Sequence, residues 1–198
     1  MGKEKYEWVR CWCDNANKYD LPRILLVGDS ITEGYQEFVR KAFEDIIYVD
    51  YFATSYAVNT KIYHELLGSF IRDSRYDLIH FNNGLHGFDM GKKEYKKGVK
   101  NAAKRFYCEN IILATSTVVY EKGNTEIDRE WARKIEERNL AIREIAHSKA
   151  FFIDDLYKVS LEIGKEDRAE DGTHYLEAGS EKLAESVVKS MALCQILG

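Results

Sequence analysis

Two short segments near opposite ends of the chain carry residue types that can do chemistry together: Gly28-Asp29-Ser30-Ile31-Thr32 and Asp171-Gly172-Thr173-His174. A serine hydroxyl is a weak nucleophile until a neighbouring base takes its proton, and an imidazole acting as that base needs an acid to fix its tautomer. The first segment supplies the hydroxyl; the second supplies a carboxylate and an imidazole three residues apart. Each segment alone has a plain structural use. Ser30 could cap a helix, Asp171 could close an Asx turn and His174 could sit on the surface. Their joint presence, each at the edge of a suitable element, points to nucleophilic catalysis in the chain order Ser, Asp, His.

The elements that must position these residues alternate along the chain. Candidate strands are Arg23–Val27, Ile46–Phe52, Asp77–Phe81, Asn110–Ala114 and Ala150–Ile153, most of them apolar on both faces. Such runs fit a parallel sheet covered on both sides. Helical patterns lie between and after them at Glu33–Phe43, Thr60–Arg72, Lys92–Tyr107, Asp128–His147 and Leu176–Ala192. In the last, Leu183, Ala184, Val187, Val188 and Met191 define one apolar stripe. The alternation predicts a three-layer α/β/α sandwich with a mostly parallel, five-stranded sheet. Residues 1–21, ahead of the lone Pro22, read as an extension packing on that body, with a helix expected around Tyr6–Trp12. Ligands of such sheets bind at the carboxyl ends of the strands. Ser30, Ala53-Thr54-Ser55-Tyr56, Asn82-Asn83-Gly84-Leu85-His86 and Thr115-Ser116-Thr117 all follow strands there.

Composition narrows the classes. With 198 residues the chain is long enough for one well-buried core and short for two, so a single domain over 1–198 is expected. A formal charge of −4 gives no electrostatic reason to bind nucleic acid or an anionic membrane. The start, Met1 to Trp8, has no apolar signal-peptide stretch, and no run approaches the roughly 18 residues that span a bilayer. A cytoplasmic location without membrane attachment is the expectation. Cys11, Cys13, Cys108 and Cys194 have no spacing suited to zinc and read as free thiols. Lys92, Lys93, Lys96, Lys97, Lys100, Lys104 and Arg105 fall on one helix face, opposite Tyr95, Val99, Ala103 and Phe106, as a solvated face would.

The two chemical segments resemble blocks of the SGNH (GDSL-type) hydrolases, a family of flavodoxin-like fold. Gly28-Asp29-Ser30-Ile31-Thr32 is similar to that family's nucleophile block, and Asp171-Gly172-Thr173-His174 to its Asp-x-x-His block. The resemblance implies Ser30 as nucleophile, His174 as base and Asp171 as its orienting acid. The family's Gly-x-Asn-Asp block falls on His80-Phe81-Asn82-Asn83, which implies Asn82 as an oxyanion donor, or Asn83 if the register slips by one. The remaining block places Ser55 where the family has a glycine whose N–H completes the oxyanion hole with that of Ser30. No metal or organic cofactor is implied. The activity implied is ester hydrolysis through an acyl-enzyme, with a small-molecule ester as the partner. The absence of a long unassigned apolar segment favours an acetyl group on a polar or carbohydrate alcohol. Lysophospholipase or thioesterase action, and a catalytically silent binding module, are the alternatives. His86 and Tyr56 are candidate substrate contacts, with capping or packing as the other use of His86.

Overall fold

The run Arg23–Gly28 has no polar face to turn to water, and such a strand must be covered on both sides. In the computed structural model of the protein, which describes residues 4–192 and 194, it forms strand β2 at the centre of a six-stranded sheet. The other strands are β1 (Val9–Trp12), β3 (Tyr48–Thr54), β4 (Leu78–Phe81), β5 (Asn110–Ala114) and β6 (Phe152–Asp154), in the spatial order β1-β3-β2-β4-β5-β6. All neighbours pair in parallel except β1, which runs antiparallel to β3.

Alternating side chains divide the core in two. Leu25, Val27, Phe52, Ile79 and Phe81 face helices α2 (Lys61–Ile71), α3 (Lys92–Ala103) and α4 (Arg129–Lys149). Ile24, Leu26, Val49, Leu78 and Ile112 face α1 (Ser30–Ala42), α5 (Leu156–Glu162) and α6 (Glu177–Ala192). The result is the expected three-layer sandwich. The chain leaves β2 toward β3 on one side and later returns to β4 on the other. The crevice at the carboxyl end of β2 is therefore the point where strand order reverses and ligands of such sheets bind.

The amino-terminal segment corrects the expectation. Val9–Trp12 is a strand, not part of a helix, and it raises the strand count from five to six. All four of its residues are exposed, so a helix there would bury no apolar stripe. The open edge of β3 instead supplies partners for its backbone groups. Other boundaries shift for local reasons. Strand β3 continues through Thr54, and β6 starts only after Ala150, which closes α4 in the left-handed region at φ 54°. The lysine-rich face of α3 is partly paired, since Lys92 and Lys96 both reach Glu144 of α4. No helix among the described residues is long and apolar enough to cross a membrane.

Candidate active site

Glycine at position 28 is required by crowding, because a Cβ there would run into Thr32 Oγ1 and the Asn82 carbonyl. This close approach lets β2 turn at once into α1. Asp29 is the N-cap of that helix, accepting the Ile31 N–H at Oδ1 over 3.0 Å. Ser30 is thereby relieved of capping and stands as the first helical residue, with its hydroxyl free for another partner. That partner is His174, whose Nε2 lies 2.8 Å from Ser30 Oγ. His174 Nδ1 lies 2.6 Å from Asp171 Oδ2. The other carboxylate oxygen, Oδ1, accepts the backbone N–H groups of Thr173 and His174, each at 2.9 Å. Burial alone would raise the Asp171 pKa. The hydrogen bonds from the His174 N–H, its ring and the Thr173 N–H outweigh that and hold it below the usual carboxylate range. The arrangement can move a proton from a hydroxyl to an imidazole that an ionised carboxylate orients.

Few secondary-structure bonds hold the loop carrying Asp171 and His174, so side chains and a neighbouring turn do so. Gly172 takes φ +79°, in the left-handed region, and its carbonyl accepts the Tyr120 N–H at 2.8 Å. Asn124 Nδ2 donates to the Ala169 carbonyl at 2.8 Å, and the Ala169 N–H donates to the His174 carbonyl at 2.9 Å. Beneath it the buried Arg168 guanidinium donates to the Ile163 and Ser160 carbonyls and lies 3.7 Å from the centre of the Tyr120 ring.

The two asparagines after β4 meet different helices. Leu78 and His80 point to the α1 side of the sheet, and the Asn82 side chain follows them, meeting the buried Tyr35 hydroxyl of α1. Tyr35 in turn lies 3.0 Å from Thr32 Oγ1. Burial pushes the Tyr35 hydroxyl far above its ordinary range, so it remains protonated. The Asn83 carbonyl instead accepts the Tyr95 hydroxyl of α3 at 2.9 Å, and Asn83 Nδ2 is buried with no partner among the described residues. Asn82 is thus the asparagine that shares a face with the helix bearing Ser30.

Ser55 is a correction. Its N–H donates to the Trp8 carbonyl at 3.2 Å, so it is already occupied. Its hydroxyl donates to Glu7 Oε2 at 2.8 Å and accepts the Trp8 N–H at 2.8 Å. The pairing of β1 with β3 runs on past Thr54 and takes this group. Two residues on, the Ala57 N–H has no acceptor among the described residues, and the same holds for the Ser30 N–H. Parallel pairing of Gly28 with Ala53 sets both at the same sheet edge. Tyr56 packs against the α2–α4 core, so the structure gives its ring a packing partner. His86 Nδ1 is 2.5 Å from Glu4 Oε1. Burial lowers the His86 pKa, but the Glu4 hydrogen bond and the charges of Asp29, Glu4 and Glu7 outweigh it and raise it.

Sequence reading missed two contributors, Glu4 and Arg138. Arg138, fully buried on α4, donates to the carbonyls of Gly84, His86 and Gly87 and fixes the loop that carries His86. An arginine on a helix with many exposed charges gives no sign of this, since only the fold shows which one points inward.

The sequence matches no protein-family model, and no curated protein matches it. Solved structures do. A lipase/acylhydrolase from Enterococcus faecalis superposes with a TM-score of 0.70 at 18% identity, covering 86% of this chain and 95% of that one. An acetyl xylan esterase from Geobacillus stearothermophilus gives 0.69 at 16%, covering 86% and 94%. The C-terminal catalytic domain of a peptidoglycan O-acetyltransferase from Streptococcus pneumoniae gives 0.66 at 19%, covering 88% and 95%. At these identities the likeness is one of fold.

Proposed function

We propose that this chain is an SGNH-type serine esterase that removes a small acyl group, most simply acetyl, from a polar or carbohydrate alcohol. The observation that carries the reading is the continuous relay from Ser30 Oγ through His174 to the Asp171 carboxylate, with contacts of 2.8 and 2.6 Å. Ser30 Oγ attacks the ester carbonyl while His174 Nε2 accepts its proton. Asp171 holds Nδ1 and stabilises the imidazolium that forms. The negative charge that develops on the carbonyl oxygen is met by the N–H groups of Ser30 and Ala57 and the Asn82 amide, with Ala57 in the role expected of Ser55. His174 then protonates the leaving alcohol, and water, activated by the same imidazole, releases the acid.

One observation favours a small acyl group on a polar alcohol. Two of the structural neighbours are named for work on acetyl groups, the xylan esterase and the O-acetyltransferase. The Enterococcus lipase/acylhydrolase supports the competing reading, a longer acyl chain on the same residues.

Labelling with a serine-directed fluorophosphonate, alongside p-nitrophenyl acetate hydrolysis, tests the assignment. Wild type should label and turn over, and Ser30→Ala should do neither. A wild-type protein that fails to label would instead favour a binding module that keeps the fold without the chemistry.

A further inference from the structure

Trp8, Arg10 and Trp12 alternate along the amino-terminal segment, and alternate residues of an extended chain share a face. Their neighbours fix which face it is. Trp12 pairs across the sheet with Tyr51, whose ring packs against the core on the α1 side, and Arg10 forms an ion pair with Glu33 of α1. The Arg10 guanidinium lies 5.6 Å from the centre of the Trp8 ring, so Trp8 stands on that face too. Helix α1 packs on β2 and β3 but leaves β1 open: Trp12 is 58% exposed and the Arg10 side chain 62%. Core packing therefore does not account for these rings. One end of the strip lies at the catalytic edge. Gly28 is level with Ala53 and Val9 with Thr54, and Trp8 bonds Ser55, which sets Trp8 at the end of the sheet where β2 turns into α1 at Ser30. Glu33 is one helical turn beyond Ser30, on the same side of α1. Trp12, at the other end, lies roughly 13 Å down the chain from Trp8, four residues of extended backbone away.

We infer that Trp8, Arg10, Trp12 and Tyr51, with Glu33, form a binding strip for an oligosaccharide chain that leads into the catalytic edge. Its link to catalysis rests on the esterase reading above; the binding itself does not. A sugar ring carries C–H groups on its faces and hydroxyls on its rim. The partially positive C–H groups suit the negative faces of indole and phenol rings. Hydroxyls both donate and accept, so they meet the Glu33 carboxylate and the Arg10 guanidinium alike. An alkyl chain or an apolar peptide laid there would strip water from that ion pair and return no hydrogen bond. The strip is longer than one sugar ring. The acylated unit lies at Ser30, and units further along the chain stack on Tyr51 and Trp12.

Calorimetric titration of the intact protein with the unacetylated tetrasaccharides of xylose, glucose and N-acetylglucosamine reads binding without hydrolysis. At least one should bind, and Trp12→Ala should weaken it about tenfold, while Trp12→Phe should recover most of the loss. On an O-acetylated form of the tetrasaccharide that binds, Trp12→Ala should lower kcat/KM about tenfold more than on p-nitrophenyl acetate, with the difference in KM. Failure of all three to bind, a Trp12→Ala that binds like wild type, or equal losses on the two esters would overturn the inference and leave the esterase reading standing. So would a wild-type dimer that Trp12→Ala converts to monomer in light scattering, since the strip would then belong to a second copy of the chain. Trp12-dependent binding in a protein that hydrolyses neither ester would remove the esterase reading and leave the strip standing.

Discussion

Trp8 and Ser55 exchange two hydrogen bonds, the Ser55 N–H to the Trp8 carbonyl at 3.2 Å and the Trp8 N–H to Ser55 Oγ at 2.8 Å. The exchange occupies the Ser55 N–H, and the proposed mechanism therefore gives the oxyanion role to Ala57. Replacing Ala57 by proline deletes that N–H while adding little bulk. Ala57→Pro should lower kcat by roughly 10²–10³ with a smaller change in KM, whereas Ala57→Gly should stay near wild type. Steady-state kinetics on p-nitrophenyl acetate, with thermal melts to confirm folding, would check this. Full activity in a folded Ala57→Pro protein would return the search for the second donor to the loop.

The relay itself predicts steep, non-additive losses. Ser30→Ala and His174→Ala should each cost about 10⁴–10⁶ in kcat, and the double variant little more, because the two act as a unit. Asp171→Asn should cost about 10⁴, since an amide cannot stabilise the imidazolium. Asp171 is half exposed, so the melting temperature should move little.

Asn82 meets Tyr35 of α1 while the Asn83 carbonyl meets Tyr95 of α3, and their variants should differ by readout. Asn82→Ala should lower kcat by roughly 10² with KM nearly unchanged, because the contact strengthens only in the transition state. Asn83→Ala should act on stability and leave chemistry largely intact. The reverse pattern in kinetics and melts would show that Asn83 meets the oxyanion.

Much of this molecule is legible in its sequence, and the parts that are not share a cause. Arg23–Gly28 and Asn110–Ala114 announce themselves because burial on both faces demands unbroken apolar runs. Ser30, Asp171 and His174, which the fold brings together, are legible because the proposed chemistry restricts residue types and the turns restrict their neighbours. Val9–Trp12 is illegible, since an exposed edge strand needs no pattern and its partner β3 lies some 40 residues on. The same long-range pairing decides the fate of the Ser55 N–H. Glu4 and His86 are 82 residues apart, and nothing local to either one implies the other.

His86 gives a pH signature. Burial lowers its pKa, but the Glu4 hydrogen bond and the charges of Asp29, Glu4 and Glu7 raise it above its ordinary 6.5. A group whose pKa rises on folding contributes stability that is full below its unfolded value and lost as pH climbs through the folded one. Melting temperature should therefore fall as pH rises from about 6.5 through the higher folded value. His86→Asn should flatten this slope, and an unchanged slope in melts across that window would show that the pair does not titrate as described.

The acyl-chain profile bears most directly on the substrate. A dedicated apolar pocket would gain roughly 0.8 kcal/mol for each CH₂ it buries, close to a fourfold gain in kcat/KM per methylene until the pocket is full. The groups that the structure sets around Ser30 are polar: His174 on its hydroxyl, Asp29 before it, and Asn82, whose N–H bonds the Val27 carbonyl at the end of β2. Extra methylenes laid against such neighbours would desolvate them and gain little. On p-nitrophenyl esters kcat/KM should therefore be highest for acetate and lower for butyrate and hexanoate. A profile rising steadily from acetate to octanoate would require an apolar channel among side chains here assigned to the core, and would favour the lipid or thioester substrate over the acetylated alcohol.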